Sequence, residues 1–175
     1  AMQHVTLKGK VFWTCETCRE GQYSVNPQDP TNGCQTCPLG AACEGGQLQG
    51  LVEGSVWEPD DAAGIMRLVS CPAGHQLINE ATDSSGVASF SHASQYCRRC
   101  NVNQYIVNPN ADECHDCPVG AVCNSQNLSG TVPGSAWAAE GPYMRLQECP
   151  RGFVGVRAEE MPASDACVAC PIGKY

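Results

Sequence analysis

A chain of 175 residues with 14 cysteines, 18 glycines, 12 prolines and only 3 Trp, 5 Tyr and 3 Phe has little bulk to bury, so it needs covalent or metal staples to hold a fold. Its formal net charge of −8, from 10 Lys+Arg against 18 Asp+Glu, repels a polyanion, and no nucleic acid partner is expected. There is no long apolar run, so no membrane insertion is expected in this segment. The cysteine density points to an oxidising, extracellular or cell-surface setting.

The chain repeats itself, and the repeat organises everything else. Residues 1–14 read as the end of a preceding module. The first copy, 15–96, opens with Cys15-x2-Cys18, Gln22-Tyr23 and Val25-Asn26-Pro27. Cys34-x2-Cys37-Pro38, Gly40-Ala41 and Cys43 follow, then Gly54-Ser55, Trp57, Met66-Arg67-Leu68 and Cys71-Pro72. The second copy, 97–166, restates this as Cys97-x2-Cys100, Gln104-Tyr105, Val107-Asn108-Pro109, Cys114-x2-Cys117-Pro118, Gly120-Ala121 and Cys123. It ends on Gly134-Ser135, Trp137, Met144-Arg145-Leu146 and Cys149-Pro150. A third start, 167–175, carries Cys167-x2-Cys170 and Lys174-Tyr175 in register with the others, so the chain reads as a window on a longer array. The offset is 82 residues from Cys15 to Cys97, 80 from Cys34 to Cys114 and 78 from Cys71 to Cys149. The two short deletions fall in loop-like places, as a repeat architecture predicts.

Gly, Pro and Asn interrupt the chain too often for a helix of three turns. The expected strands are Gln22–Val25 with Gln104–Val107, and Ile65–Ser70 with Tyr143–Gln147. The stretch from Val52 to Cys71 reads as a β-hairpin turning near Pro59-Asp60-Asp61. Thr82–Ser94 is Ser-rich and reads as an exposed loop. The expected fold class is small and disulfide-rich, mostly irregular with short antiparallel β-hairpins, arranged as tandem elongated modules.

Zinc is the rival to disulfides, because Cys15-x2-Cys18-x15-Cys34-x2-Cys37 has the spacing of a four-cysteine zinc ribbon. The corresponding gap in the second copy differs, and Cys43, Cys71, Cys123 and Cys149 have no place in such a site. Basic residues to balance a thiolate cluster are scarce, and Asn127-Leu128-Ser129 is an N-glycosylation sequon, which has meaning in a secreted protein. These observations favour staples, with no metal and no cofactor expected. Spacing does not settle connectivity. Joining neighbours, with each Cys-x2-Cys serving separate staples, gives Cys18–Cys34, Cys37–Cys43, Cys71–Cys97, Cys100–Cys114, Cys117–Cys123 and Cys149–Cys167. Cys15 and Cys170 remain as inter-module cysteines.

The units Cys71-Pro-Ala-Gly, Cys149-Pro-Arg-Gly-Phe and Cys170-Pro-Ile-Gly-Lys-Tyr, with Cys-x2-Cys-Pro-x-Gly-Ala-x-Cys, resemble ephrin-receptor-like and growth-factor-receptor-like cysteine-rich modules. The longer pattern with Gly-Ser-x-Trp and Met-Arg-Leu-x-x-Cys-Pro is similar to repeats of large algal and protist surface proteins, mastigoneme-type filament proteins among them. The resemblance implies the same sequential pairing of cysteines. It also implies a structural subunit or repeat segment of an extracellular glycosylated filament or flagellar hair, assembling head to tail. The partners expected are other copies of the same protein or adjacent repeats, and an N-linked glycan at Asn127. The alternative is a ligand-binding or adhesive ectodomain of a cell-surface receptor, since such modules serve both.

Other candidates weigh less. Trp57 and Trp137 read as small module cores rather than sugar platforms. Arg67 and Arg145 are expected to point outward, with an arginine across the tryptophan as one arrangement. His115 and Asp116 have Gln35 and Thr36 as counterparts, which removes a metal role common to both copies. Glu58, Asp60 and Asp61 lack the spacing of a calcium loop. Phe12, Trp13 and Tyr175 are expected as apolar contacts between modules. No nucleophile, zinc-protease or phosphate-loop motif is present, so an enzyme is not expected.

Overall fold

The computed structural model describes residues 2–7, 10–15, 17–28 and 32–174, with side chains from Cys15 onward. The side chains of Phe12 and Trp13, and Tyr175 as a whole, lie outside the described residues. Nearly all regular structure is short antiparallel strand pairs, and no α-helix occurs among the described residues. Strands this short cannot bury a two-sided sheet, so disulfides and side-chain clamps carry much of the fold.

The chain begins with β1 (Met2–Leu7) paired to β2 (Lys10–Cys15), which runs directly into the first Cys-x2-Cys. Three hairpins follow. β3 (Gln22–Tyr23) pairs with β4 (Gln35–Thr36), β5 (Ala41–Glu44) with β6 (Gln47–Gly50), and β7 (Val56–Asp60) with β8 (Ile65–Ser70). Next come β9 (His75–Ile78), β10 (Glu80–Thr82), β11 (Ala88–Phe90) and, after a single 3-10 turn at His92–Ser94, β12 (Tyr96–Arg99). β9 pairs with β12, and the β10–β11 hairpin is inserted between them. The second copy then restates the three hairpins. β13 (Gln104–Tyr105) pairs with β14 (His115–Asp116), β15 (Ala121–Cys123) with β16 (Leu128–Gly130), and β17 (Ala136–Glu140) with β18 (Tyr143–Glu148). β19 (Phe153–Val156) pairs with β20 (Ala166–Ala169), separated by a 3-10 turn at Pro162–Ser164.

The repetition extends to irregularities. Each tryptophan hairpin shifts register at the same step, between Val56 and Trp57 in the first copy and between Ala136 and Trp137 in the second. Each keeps the pairing Trp57↔Leu68 or Trp137↔Leu146. The first-copy hairpin turns over Asp61–Gly64, later than expected, because Pro59 still lies in β7 opposite Met66. A two-stranded pair tolerates this proline, since it needs no second partner. Thr82–Ser94 is exposed through Phe90 but is not a loop: β11 closes a hairpin on β10, and the 3-10 turn follows.

Two compact units emerge. The first comprises Ala1–Pro72 and Leu77–Cys97, the second Ala73–Gln76 and Arg98–Tyr175. In the first, Leu68, Cys71 and Cys97 form the buried cluster, with Val52, Trp57 and Leu77 packed on it. Trp57 is therefore a wall of the small core. In the second, Cys100, Tyr105, Ile106, Cys123 and Leu146 are buried, together with Arg145 and Asp165.

Candidate functional site

Six disulfides form the covalent frame: Cys18–Cys34, Cys37–Cys43, Cys71–Cys97, Cys100–Cys114, Cys117–Cys123 and Cys149–Cys167. Each joins cysteines adjacent in the order of the chain, and the two members of every Cys-x2-Cys motif serve different bridges. The short Cys37–Cys43 and Cys117–Cys123 bridges span 6 residues each, and the longest, Cys71–Cys97, spans 26. Closing loops of this range contributes about 2–4 kcal/mol per bridge. Cys15 and Cys170 are free, the first exposed and the second half-buried. Their counterparts Cys97 and Cys100 are bridged.

The Cys-Pro-x-Gly-Ala motif has a structural role in both copies. Pro38 and Pro118 are fully buried. Leu39 and Gly40 donate backbone hydrogen bonds to the carbonyls of Ala93 and Gln95, at 3.0 and 2.7 Å. Val119 and Gly120 donate to those of Ala163 and Asp165, at 2.8 and 2.9 Å. The backbones approach so closely that a Cβ on Gly40 would lie 2.6 Å from the Gln95 carbonyl oxygen, and one on Gly120 would lie 2.5 Å from the Ala166 Cα. Glycine is required there for space.

Just after each 3-10 turn sits a completely buried polar residue, Gln95 in the first unit and Asp165 in the second. Gln95 Oε1 accepts from the Leu68 amide at 2.9 Å, and Nε2 donates to the carbonyls of Met66 and His92. Asp165 Oδ2 accepts from the Leu146 amide at 3.1 Å and from Arg145 Nε at 2.8 Å. Its Oδ1 accepts from Arg145 Nη2 and the Ala158 amide. Arg145, expected to point outward, is thus drawn inward. The charge-assisted bonds to Asp165 hold its guanidinium pKa above the ordinary arginine value. Arg67 does point outward. It pairs with Asp60 at 2.6 Å and lies over the Phe90 ring rather than a tryptophan, 4.2 Å from the centroid. Sequence reasoning missed Gln95 and Asp165. The signal was present as Ala-Ser-Gln-x-Cys97 against Ala-Ser-Asp-x-Cys167, a match lying in segments too polar to read as core.

A buried tyrosine supports each clamp. Tyr23 Oη accepts the Met66 amide at 2.8 Å and shares a hydrogen bond with His92 Nε2 at 2.7 Å. Tyr105 Oη accepts the Met144 amide at 3.0 Å, but Pro162 replaces the histidine. Burial raises both phenol pKa values and lowers that of His92. In the second unit His115 lies tilted against Tyr143 instead, ring centroids 4.6 Å apart, with its Nε2 buried and without a partner among the described residues. Among the described residues no group of three or more His, Cys, Asp or Glu converges as a metal site. No helix among them is long and apolar enough to cross a membrane.

Asn127 is exposed in the turn before β16, its amide held by Asn124 Oδ1 at 2.8 Å, and Ser129 of the sequon is exposed on β16. The chain matches no protein-family model, no curated protein and no solved structure in these comparisons.

Proposed function

We propose that this chain is a non-enzymatic structural segment of an extracellular, glycosylated filament or flagellar hair, built of repeats joined head to tail. The observation that carries the reading is the double occurrence of one hairpin-and-disulfide pattern, flanked by two free cysteines at positions that are bridged elsewhere in the repeat. Repeats of this size bury little surface alone and gain stability from neighbours. Cys15 and Cys170 would bridge to neighbouring modules or copies, and Asn127 would carry the N-linked glycan on an accessible turn. The six disulfides belong to oxidising surroundings outside the cytosol.

Electron microscopy of the native, unreduced material is the direct test. Regular filaments are expected, and isolated particles at every concentration would sink the reading. A glycopeptide map should find Asn127 modified in natively sourced protein, with an unmodified residue counting against the glycan. The second reading, a ligand-binding ectodomain, is favoured by a cavity of about 300 Å³ in the second unit lined by Tyr105, His115, Tyr143 and Met161 among others. Glycan-array or small-ligand binding lost on Tyr143→Ala would promote it.

A further inference from the structure

The two units fill the space beside their buried tyrosine differently. In the first, the 3-10 turn supplies His92, which shares a hydrogen bond of 2.7 Å with the Tyr23 hydroxyl, ring centroids 5.9 Å apart. In the second, the same station of the turn carries Pro162, whose side chain has no polar atom to offer. Tyr105 still accepts the Met144 amide, but nothing among the described residues accepts its hydroxyl hydrogen. The filling residue comes from the unit's own turn, so the difference is internal to the two copies and owes nothing to what flanks them.

A cavity of about 300 Å³ opens at that station, lined by Tyr105, His115, Tyr143, Met161 and Pro162 among others. His115 reaches it from β14, its ring centroid 5.9 Å from that of Tyr105 and 4.6 Å from that of Tyr143. The second unit thus has an imidazole too, but this one does not make the bond: its Nε2 is buried with no hydrogen-bond partner among the described residues. A buried ring nitrogen left in this state is costly and calls for an occupant. One water takes up only about 30 Å³ and would leave most of the space empty. Asp116, also on the lining, is already engaged, its Oδ1 accepting from Gln104 Nε2 at 3.1 Å. Tyr143 and Met161, at 38% and 62% exposure, leave the mouth accessible.

We propose that this cavity binds a small planar ring of the imidazole class, carrying one hydrogen-bond donor and one acceptor. The inference rests on the ligand-binding reading and names the chemistry of its ligand. A neutral imidazole meets both needs. Its bare nitrogen accepts the Tyr105 hydroxyl, and its N–H donates to His115 Nε2 when His115 carries its own proton on Nδ1. The Tyr143 ring and the Met161 thioether offer the flat, polarisable contacts that suit an aromatic guest. The first unit is the precedent, since there the chain itself supplies such a ring, as His92, at the corresponding place. A volume of about 300 Å³ lies at the small end of ligand sites, so it admits a single ring with a short substituent and not an oligosaccharide.

An NMR titration of the full chain with imidazole, at a pH of about 8 where such a ring is largely neutral, tests this. Saturable shifts at His115, Tyr143 and Met161 are expected, with an affinity of about 1 mM, as so few ligand atoms allow. Pro162→His installs the residue that the first copy carries there, fills the cavity from within and should abolish the response. An unchanged disulfide map establishes that this variant folds. N-methylimidazole, which has no N–H, should bind the unaltered chain about tenfold more weakly, the loss of one hydrogen bond. No saturable response of the unaltered chain overturns the proposal and leaves the cavity to water. Undiminished binding by the Pro162→His variant overturns it by placing the ring elsewhere, and N-methylimidazole binding as tightly as imidazole overturns the hydrogen-bonded pose. Glycan or small-ligand binding lost on Tyr143→Ala would then still uphold the ligand-binding reading with a different ligand, and filaments in native material decide the structural reading separately.

Discussion

Gln95 and Asp165 occupy the same station in the two units, yet one is a neutral amide and the other half of an ion pair. Both accept the amide of the leucine in Met-Arg-Leu, and that shared acceptor is what the station demands. The amide supplies its own donors to the carbonyls of Met66 and His92, so Arg67 is left for Asp60 and Phe90 at the surface. A carboxylate has no donor and cannot stay charged in a buried place alone. It recruits Arg145, and Glu140, the counterpart of Asp60, pairs with Arg157 instead. One substitution in a turn thus redirects an arginine whose immediate neighbours are the same in both copies.

The largest way to break this comparison is Asp165→Ala. It strands a buried guanidinium and two amides, and should cost about 3–5 kcal/mol. Hydrogen exchange should show protection lost across the second unit and kept in the first; an effect below about 1 kcal/mol would mean Arg145 finds water or another partner without penalty. Gln95→Ala removes three neutral hydrogen bonds and should cost less, about 2 kcal/mol, read from the first unit by the same measurement. Equal costs for the two substitutions would show that the charge on Asp165 adds nothing to the clamp.

The smallest effect is a pH dependence confined to the first unit. Burial holds His92 below its ordinary pKa. As pH falls through about 6.5, the unfolded chain takes up a proton that the native imidazole resists, so the native state loses stability. That contribution is fully present above the unfolded value and declines below it. His92→Gln should flatten the fall in protection between neutral and mildly acidic pH. An unchanged profile would remove His92 from the account.

Much of the frame was legible in advance because it depends on properties local to the sequence. Cysteine order, glycine and proline punctuation and the repeat itself mark the Ile65–Ser70 strand and the short strands beginning at Gln22 and Gln104. The repeat also explains which glycines matter, since Gly40 and Gly120 meet the same backbone contact. The β10–β11 hairpin was not legible, because Thr82–Ser94 contains few apolar residues and its strands are exposed. The buried clamps were hidden for a related reason. A glutamine or aspartate in a Ser-rich turn has the local chemistry of a solvated loop, and only distant backbone amides make it core.

Sequence alone therefore determined the staples' chemistry, the two copies and the hairpin character, because disulfides and tight turns depend on residue type and short-range order. Tertiary structure decided which polar side chains are interior and which way each arginine turns. Those outcomes depend on hydrogen-bond partners far apart in the chain. Leu146 and Asp165, or Gly74 and Ser125, meet only after the hairpins have folded.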